Sequence, residues 1–215
     1  MLNYLFTNPL YFFIWVAAIL VAITVHEFAH AWASDRLGDP TARLQGRVTL
    51  NPLAHLDPLG TLMLVLFRFG WGKPVPFDPF NLRNPRRDAA LISFAGPAAD
   101  LILAIILAVF IRLGHVFLGP SAYILELILT PFITLAVILA IFNLIPIHPL
   151  DGGKVLIGLL PEKLAYQWDE FLNRYGFIMI LFLIIPFFGF SLISSIIFPI
   201  VNVILSFLLP GTPLV

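Results

Sequence analysis

The sequence predicts an all-α membrane protein: a multi-span helical bundle with a small membrane-associated β-strand or hairpin element after the first helix. Of its 215 residues, 60% are hydrophobic and 11% are charged, whereas a soluble domain averages about 25% charged residues. The mean hydropathy is +0.99. The 18 Pro and 14 Gly are scattered through the apolar stretches, which is more common in membrane helices than in soluble ones. These features exclude a soluble enzyme, a disordered linker and a nucleic-acid-binding protein.

Four apolar runs approach the roughly 20 residues that a helix needs to cross a bilayer. They are Pro9–Ala33, Ala89–Leu113, Ala122–Ile145 and Phe177–Leu209. The last run is long enough for two passes or one broken pass, because Pro186, Gly189 and Pro199 interrupt it. A shorter run, Leu59–Phe69, has about half the required length and is predicted to be interfacial or re-entrant.

The polar segment between the first two long runs, Ser34–Asp88, is predicted to be structured. Ala42–Leu50 alternates apolar and polar residues, which predicts a strand or hairpin at the membrane surface. Gly72–Pro76 contains two prolines, which exclude a helix there. The basic residues of the segment are expected to form a solvated face against anionic lipid headgroups. They are Arg36, Arg43, Arg47, Arg68, Lys73, Arg83, Arg86 and Arg87.

The first apolar run ends in a pattern of residues typical of metal chemistry, His26-Glu27-Phe28-Ala29-His30. Histidines at i and i+4 lie on one face of a helix, so both imidazoles can bind one zinc ion. The intervening Glu27 can then act as a base toward the water of the site. A chance pair of helical histidines, or a heme or transport site, is the alternative. Each ionisable group that faces lipid costs roughly 2.5 kcal/mol or more, however, so such residues are functional by default.

A hydrolytic zinc site needs a third protein ligand, and the chain contains no cysteine. Four side chains in apolar surroundings are candidates: Asp100, Glu126, His148 and Asp151. Two prolines and two glycines surround Asp151, and irregular backbone at membrane depth is tolerated where it lines a cavity. Asp151 is therefore the predicted third ligand.

The predicted topology agrees with this choice. The first and third long helices must end on the same side of the membrane, which requires one full crossing between them and a short run that does not span. The metal-bearing side then carries the basic segment, and the opposite short loop carries Arg112. By the positive-inside rule, the metal-bearing side is cytoplasmic.

The two motifs together resemble the site-2 protease family of intramembrane zinc metalloproteases, in its compact prokaryotic branch without PDZ or CBS domains. They are HEFAH on a membrane helix and Asn143-Leu-Ile-Pro-Ile-His-Pro-Leu-Asp151-Gly-Gly later in the chain. Four further segments also match that branch: Gly46–Pro52, His55–Gly60, Gly72–Pro76 and Ala95–Ala99. The resemblance implies a single membrane-embedded domain over residues 1–215, with a catalytic core of about 9–160 and C-terminal hydrophobic helices at about 175–209. It also implies a bacterial or archaeal plasma membrane.

Carried over by position, the resemblance implies that His26, His30 and Asp151 hold one Zn²⁺ per chain and that Glu27 is the catalytic base. It further implies that Asn143 helps to hold the carbonyl of the substrate. The chain departs from the family pattern at Asp100, where relatives usually have Asn, and at His148, where Pro is frequent. Neither residue is assigned a catalytic role. His55, a loop histidine beside Asp57, is predicted to be a structural hydrogen-bonding residue.

The predicted reaction is hydrolysis of a peptide bond within or near the membrane-spanning segment of another protein. A substrate helix must unwind first, and we expect it to add as a strand to the edge formed by Ala42–Leu50 and Gly72–Pro76. Proline at Val48 or Leu50 should then weaken cleavage without removing zinc. The substrate is a transmembrane protein in the lipid bilayer, and the pattern carries no signal of oligomeric state.

Two other functions fit parts of the pattern. A metal-ion or proton transporter would use the His and Asp cluster as a relay, but it should spread such residues through the membrane depth, whereas this chain concentrates them at one level. A catalytically silent scaffold is the third reading, and the intact Glu27 argues against it.

Overall fold

The computed structural model describes residues 6–67, 70–185 and 193–209. Its helices, in chain order, are α1 (Pro9–Leu37), α2 (Thr41–Leu44), α3 (Pro58–Phe67), α4 (Pro85–Leu118), α5 (Ala122–Asn143), α6 (Asp151–Leu159), α7 (Glu162–Ile184) and α8 (Phe198–Leu208). Short 3₁₀ turns lie at Pro52–Ala54, Pro79–Asn81 and Gly119–Ser121, and a π-helical turn, Ile193–Ile197, leads into α8. Over these ranges the chain is helical, and no strand is present.

Two described stretches are long and apolar enough to cross a membrane, Pro9–Leu37 and Pro85–Asn143. The first is α1, and the second comprises α4, the turn at Gly119 and α5. Helix α3 has 10 residues and rises about 15 Å, half of the roughly 30 Å hydrocarbon core. That length agrees with the prediction that this short apolar run does not cross the membrane.

Small side chains allow the long helices to approach one another closely. Ala104 and Ala108 of α4 are fully or almost fully buried, as are Ala136 and Ala140 of α5. In a membrane, where the surroundings are as apolar as the side chains, close packing of small residues is the main source of helix association. Ala104, Ala108 and Ala136 belong to a core cluster to which α8 contributes Val201.

The buried face of α1 combines small residues with the two histidines. Ala22, Ala29 and Ala33 are at most 9% exposed, and His26 and His30 lie on the same side of the helix at 4% and 8%. This face packs against α4 and α5. Helical periodicity therefore determines where the histidines lie, because they are on the same face of α1 as the small residues that pack against α4.

The strand or hairpin predicted over Ala42–Leu50 is wrong. Residues Thr41–Leu44 form the short helix α2, which ends when the Arg47 amide donates to the Ala42 carbonyl at 2.9 Å. Burial does not follow the alternation in the sequence: Arg47 is 3% exposed, whereas Leu44 and Leu50 are 79% and 61% exposed. The expected addition of a substrate strand at this segment therefore has no strand edge to use. The described residues contain one isolated antiparallel bridge, Leu56 to Gly72.

The prediction that the basic residues form a solvated face is wrong for Arg47. Its side chain is 3% exposed, and its guanidinium donates to the carbonyl oxygens of Lys73 and Pro74. Arg47 thereby fixes the loop that carries Gly72–Pro76. Arg43, in contrast, is exposed and pairs with Asp35 at 3.3 Å. Arg68 lies outside the described residues.

The C-terminal region begins earlier than the apolar pattern indicates. Helix α7 starts at Glu162, and its first turns contain charged residues that the apolar pattern leaves out, while Ala165, Leu172 and Gly176 are buried. Pro186 and Gly189, the predicted points of interruption, lie outside the described residues. Pro199 is at the start of α8, where its missing N–H costs no helical hydrogen bond.

The carboxylate of Asp39 joins three parts of the chain just after α1. It is fully buried and accepts hydrogen bonds from the Ser34 hydroxyl (3.1 Å), from the Thr41 amide and hydroxyl (3.1 and 2.6 Å), from the Asp78 amide (2.8 Å) and from the Asn81 side chain (2.9 Å). Burial raises the pKa of Asp39, but the hydrogen bonds outweigh it and lower the pKa to about 2. Asp39 thus ties α1 to the loop that precedes α4.

We expect Asp39→Ala to lower the free energy of unfolding by about 1–3 kcal/mol, since it leaves buried donors without an acceptor. Because the pKa of Asp39 is lower in the folded protein than the unfolded value near 4, the stabilisation is present above about pH 4 and is lost as the pH falls through about 2. Thermal unfolding in detergent from pH 7 to 2 checks both statements. Asp35→Asn is the matched control, and equal stability of Asp39→Ala and wild type at pH 7 would contradict the assignment.

Candidate metal centre

The three predicted ligand side chains converge in the structure. His26 Nε2 lies 3.0 Å from His30 Nε2, and Asp151 Oδ2 lies 3.1 Å from His26 Nε2 and 3.2 Å from His30 Nε2. The two histidines are buried and Asp151 is partly buried. Two residues of α1 and one from a segment 121 positions further on therefore face a single point.

The break between α5 and α6 brings Asp151 to this point. Helix α5 ends at Asn143 and α6 begins at Asp151, so the carboxylate occupies the first turn of a new helix. A Cβ at Gly152 would lie 2.3 Å from the Leu144 carbonyl oxygen. The start of α6 therefore packs directly on the end of α5, and a larger residue at 152 would push Asp151 away from the histidines.

The other ring nitrogen of each histidine is held by an acceptor on α4. His26 Nδ1 is 2.7 Å from Asp100 Oδ2, and His30 Nδ1 is 2.7 Å from the Ile92 carbonyl oxygen. Since a carbonyl oxygen only accepts, His30 Nδ1 carries its proton and Nε2 is left with a lone pair. An ionised Asp100 has the same effect on His26.

This arrangement fits zinc. Two bare imidazole nitrogens and a carboxylate oxygen, all acceptors, meet within 3.2 Å of one another, and a cation satisfies all three at once. Ligand atoms bound to tetrahedral zinc at about 2.0–2.1 Å lie about 3.3 Å apart. Two His and one carboxylate form a known donor set of catalytic zinc, which leaves the fourth position for water.

Glu27 lies beside this cluster but is not one of the three converging groups. Its Oε2 accepts a hydrogen bond from the Val75 amide at 3.2 Å, within the loop Gly72–Pro76. Arg47 holds the same loop through the carbonyl oxygens of Lys73 and Pro74. The carboxylate predicted to be the base therefore has a fixed position at the boundary between α1 and the loop.

The structure does not bring Asn143 into contact with the three ligands through any described hydrogen bond. Its side-chain amide donates to the Leu139 carbonyl at 3.0 Å, one turn earlier in α5. Asn143 ends that helix and is partly buried. Its predicted role toward the substrate carbonyl stays a prediction.

The remaining candidates for a third ligand have other partners. Glu126 lies 3.1 Å from His115, near the turn between α4 and α5. His148 lies 3.2 Å from Asp169 of α7. Asp100 contacts the outer nitrogen of His26. His55 is fully buried, and its Nε2–H donates to the Thr49 carbonyl at 2.8 Å, so it is a hydrogen-bonding residue of the loop.

Sequence reasoning missed the role of Gly96 at the centre. A Cβ at Gly96 would lie 2.5 Å from His30 Nε2 and 2.8 Å from His26 Cε1. The backbone of α4 thus passes directly over both rings. A glycine in an apolar helix before Pro97 is the signal in the sequence, since such a glycine often marks close approach.

We expect Gly96→Ala to lower zinc affinity at least tenfold, because the new methyl group forces both imidazoles to shift. Gly114→Ala on the same helix is the control, since its Cβ would meet the Leu125 side-chain terminus at 2.8 Å, far along α4 from the histidines. Competition for zinc between the purified protein and a chelator measures both affinities. A Gly96→Ala variant that binds zinc as wild type does would show that the helices can separate at no cost.

A helical membrane bundle that encloses a cluster of two histidines and an aspartate, with a glutamate directly after the first histidine in the chain, is the arrangement expected of a membrane-embedded, metal-dependent hydrolase. The comparisons with known proteins agree. The model of peptidase family M50 matches residues 115–183. The chain is 36% identical over 191 residues to "Putative zinc metalloprotease YwhC" of Bacillus subtilis, covering 87% of this chain and 85% of the relative.

Two further relatives extend the range of organisms. "Putative zinc metalloprotease Rip2" of Mycolicibacterium smegmatis is 32% identical over 206 residues, which are 86% of this chain and 76% of that protein. "Zinc metalloprotease MJ0392" of Methanocaldococcus jannaschii is 23% identical over 161 residues, 74% of this chain and 38% of the relative. No solved structure gives a significant match.

The chain belongs to peptidase family M50, the site-2 protease family. It is an intramembrane zinc metalloprotease, with proteins as substrates and zinc as cofactor. Nothing in the comparisons favours the transporter.

Proposed function

We propose that His26, His30 and Asp151 bind one zinc ion and that Glu27 is the general base for hydrolysis of peptide bonds in or near the transmembrane segments of other proteins. The observation that carries the proposal is the convergence of three ligating atoms within 3.2 Å of one another inside a membrane bundle. The chemistry is assigned to one membrane domain, with its core at about residues 9–160.

Each side chain has a separate task in this mechanism. When bound, zinc polarises the scissile carbonyl and makes water a stronger acid. Glu27 takes a proton from the attacking water at a carboxylate oxygen and delivers it to the nitrogen of the leaving amine. Asn143 at the end of α5 donates a hydrogen bond to the carbonyl oxygen as its negative charge develops. The Val75 amide keeps Glu27 in place.

An apolar cleft beside α1 supports a substrate with large hydrophobic side chains. It has a volume of about 220 Å³. Its lining residues are Leu20, Val21, Thr24, Val25, Leu50 and Pro52. Thr24 and Val25 directly precede the first histidine in the chain. The Thr24 hydroxyl donates to the Leu20 carbonyl at 2.6 Å, so the cleft presents apolar surface to a substrate side chain.

The active site is assigned to the cytoplasmic side of a prokaryotic plasma membrane. The support is the distribution of basic residues: the segment between α1 and α4 is rich in Arg, and the short turn between α4 and α5 has Arg112 close by. Water then reaches the centre from the cytosol, and cleavage falls in the cytosolic part of the substrate helix.

Single cysteines can test this orientation directly, since the natural chain contains none. Leu53, in the segment that precedes α4, and Phe117, in the last turn of α4, are 76% and 78% exposed. We expect a membrane-impermeant maleimide to label Phe117→Cys in intact cells, and to label Leu53→Cys only after the cytoplasmic face is opened. The reverse pattern would place the centre on the outer face.

Cleavage of a reconstituted single-span substrate tests the reaction itself. Mass spectrometry of the products should place the cut in the half of the substrate helix nearest the cytosol. The wild type should lose activity on zinc removal and regain it on zinc addition. A cut in the opposite half, or cleavage that persists after metal removal, would contradict the proposal.

A further inference from the structure

We propose that Asp100 is a positioning residue of the metal centre: its side-chain oxygen accepts the His26 Nδ1 proton and so holds the imidazole in the orientation and tautomer that present Nε2 to zinc. The inference rests on the proposed metal site. Asp100 is not a ligand in this proposal, since it contacts His26 Nδ1, the nitrogen that faces away from the cluster.

The geometry of the contact is that of a strong hydrogen bond. The 2.7 Å between Asp100 Oδ2 and His26 Nδ1 is at the short end of the range for charge-assisted hydrogen bonds. Asp100 is 0% exposed and His26 is 4% exposed, so water does not compete for the bond. Two helices, α1 and α4, are joined by it.

The two histidines use different acceptors for the same purpose. His30 relies on the Ile92 backbone carbonyl at 2.7 Å, which any residue at position 92 would supply. His26 relies on a side chain that the chain could have replaced by an apolar residue. An acceptor on Nδ1 fixes both the ring orientation and the tautomer of a metal-binding histidine. The Ile92 carbonyl does this for His30, and the Asp100 side chain does it for His26.

The second oxygen of Asp100 makes no competing contact. Asp100 Oδ1 is buried and has no hydrogen-bond partner among the described residues. The described polar contact of this side chain is therefore the one between Oδ2 and His26 Nδ1.

An amide at position 100 would no longer fix the tautomer of His26. Asn is nearly the same size as Asp but is neutral, and its side chain can donate as well as accept. It could then accept the His26 Nδ1 proton as before or donate to a bare Nδ1, which leaves the proton on Nε2, where zinc must bind. The tautomer is no longer unique.

Zinc binding by the full-length apoprotein in detergent tests the proposal without reference to activity. The probe is zinc alone, in competition with a chromogenic chelator, for wild type, D100N and D100A. We expect the zinc dissociation constant to rise about tenfold in D100N and about 100-fold in D100A, the range that loss of an outer-shell partner produces. Unchanged affinity in D100N overturns the proposal even if D100A does not fold.

Asp88→Asn is the matched control. Asp88 is a buried aspartate on the same helix, where it accepts the Asn84 amide at 2.9 Å, and it does not contact the histidines. We expect D88N to bind zinc within twofold of wild type. A loss in D88N equal to that in D100N would show a general effect of removing charge from α4 and would overturn the specific role of Asp100.

The visible absorption of the Co²⁺-substituted protein gives a second readout that general destabilisation does not move. D100N should shift the band positions, since the orientation of one imidazole changes, and D88N should not. H26A distinguishes failure of the proposed metal site from failure of the proposed role of Asp100. If H26A keeps zinc affinity, the proposed metal site fails; if H26A loses it while both Asp100 variants keep it, only the role of Asp100 fails.

Discussion

Replacing Glu27 with Gln is expected to abolish proteolysis while zinc stays bound. Gln has nearly the same shape as Glu, and its side-chain oxygen can still accept the Val75 amide that Glu27 accepts at 3.2 Å. It cannot take a proton from water at pH 7. Loss of a general base typically costs about 10²–10⁴ in rate, so cleavage of a single-span substrate should fall by at least 100-fold.

The measurement compares zinc content and cleavage rate in the same preparations of wild type and Glu27→Gln. Glu126→Gln is the control, because Glu126 pairs with His115 at 3.1 Å and contacts none of the three ligands in the described contacts. Its rate should match wild type. A Glu27→Gln protein that cleaves normally, with full zinc content, would remove Glu27 from the mechanism.

Replacing Asp151 with Ala is expected to remove zinc and activity together. Asp151 supplies the carboxylate ligand of the three, and its loss leaves the two imidazoles, whose Nε2 atoms lie 3.0 Å apart. We expect at least a 100-fold rise in the zinc dissociation constant, because a hydrolytic zinc site depends on three protein ligands. Cleavage at limiting zinc should fall to background.

A substitution in the neighbouring helix α7 distinguishes loss of a zinc ligand from disturbed folding of the segment that precedes Asp151. Asp169 of α7 has a side chain that is about half exposed and lies 3.2 Å from His148. His148 belongs to the irregular segment between α5 and α6 that leads to Asp151. Asp169→Asn should keep zinc affinity within a few fold of wild type. An Asp151→Ala variant that still binds one zinc with wild-type affinity would require a different third ligand.

Parts of the structure that follow from local periodicity could be predicted from the sequence. Two histidines four residues apart on an apolar helix can face one point. The prolines and glycines around Asp151 indicate a break in the helix, and such a break at membrane depth is tolerated where the backbone lines a cavity. These features are encoded within a few residues of chain, so spacing alone is informative.

The features that sequence reasoning missed depend on partners far along the chain. Asp100 is recognisable as an acidic residue in an apolar helix, but its contact with His26 spans 74 positions. Arg47 reads as part of an alternating strand, whereas its burial is set by loop carbonyls 26 and 27 positions away. Alternation around a glycine cannot distinguish a strand from a helical turn followed by a buried side chain.

Zinc-edge X-ray absorption tests most directly whether His26, His30 and Asp151 share one ion. We expect one zinc per chain in a shell of nitrogen and oxygen atoms at about 2.0–2.1 Å. The spectrum should show scattering from two imidazoles in wild type. It should show scattering from one imidazole in His30→Ala reloaded with excess zinc. Wild-type and His30→Ala spectra with the same imidazole count would contradict this expectation.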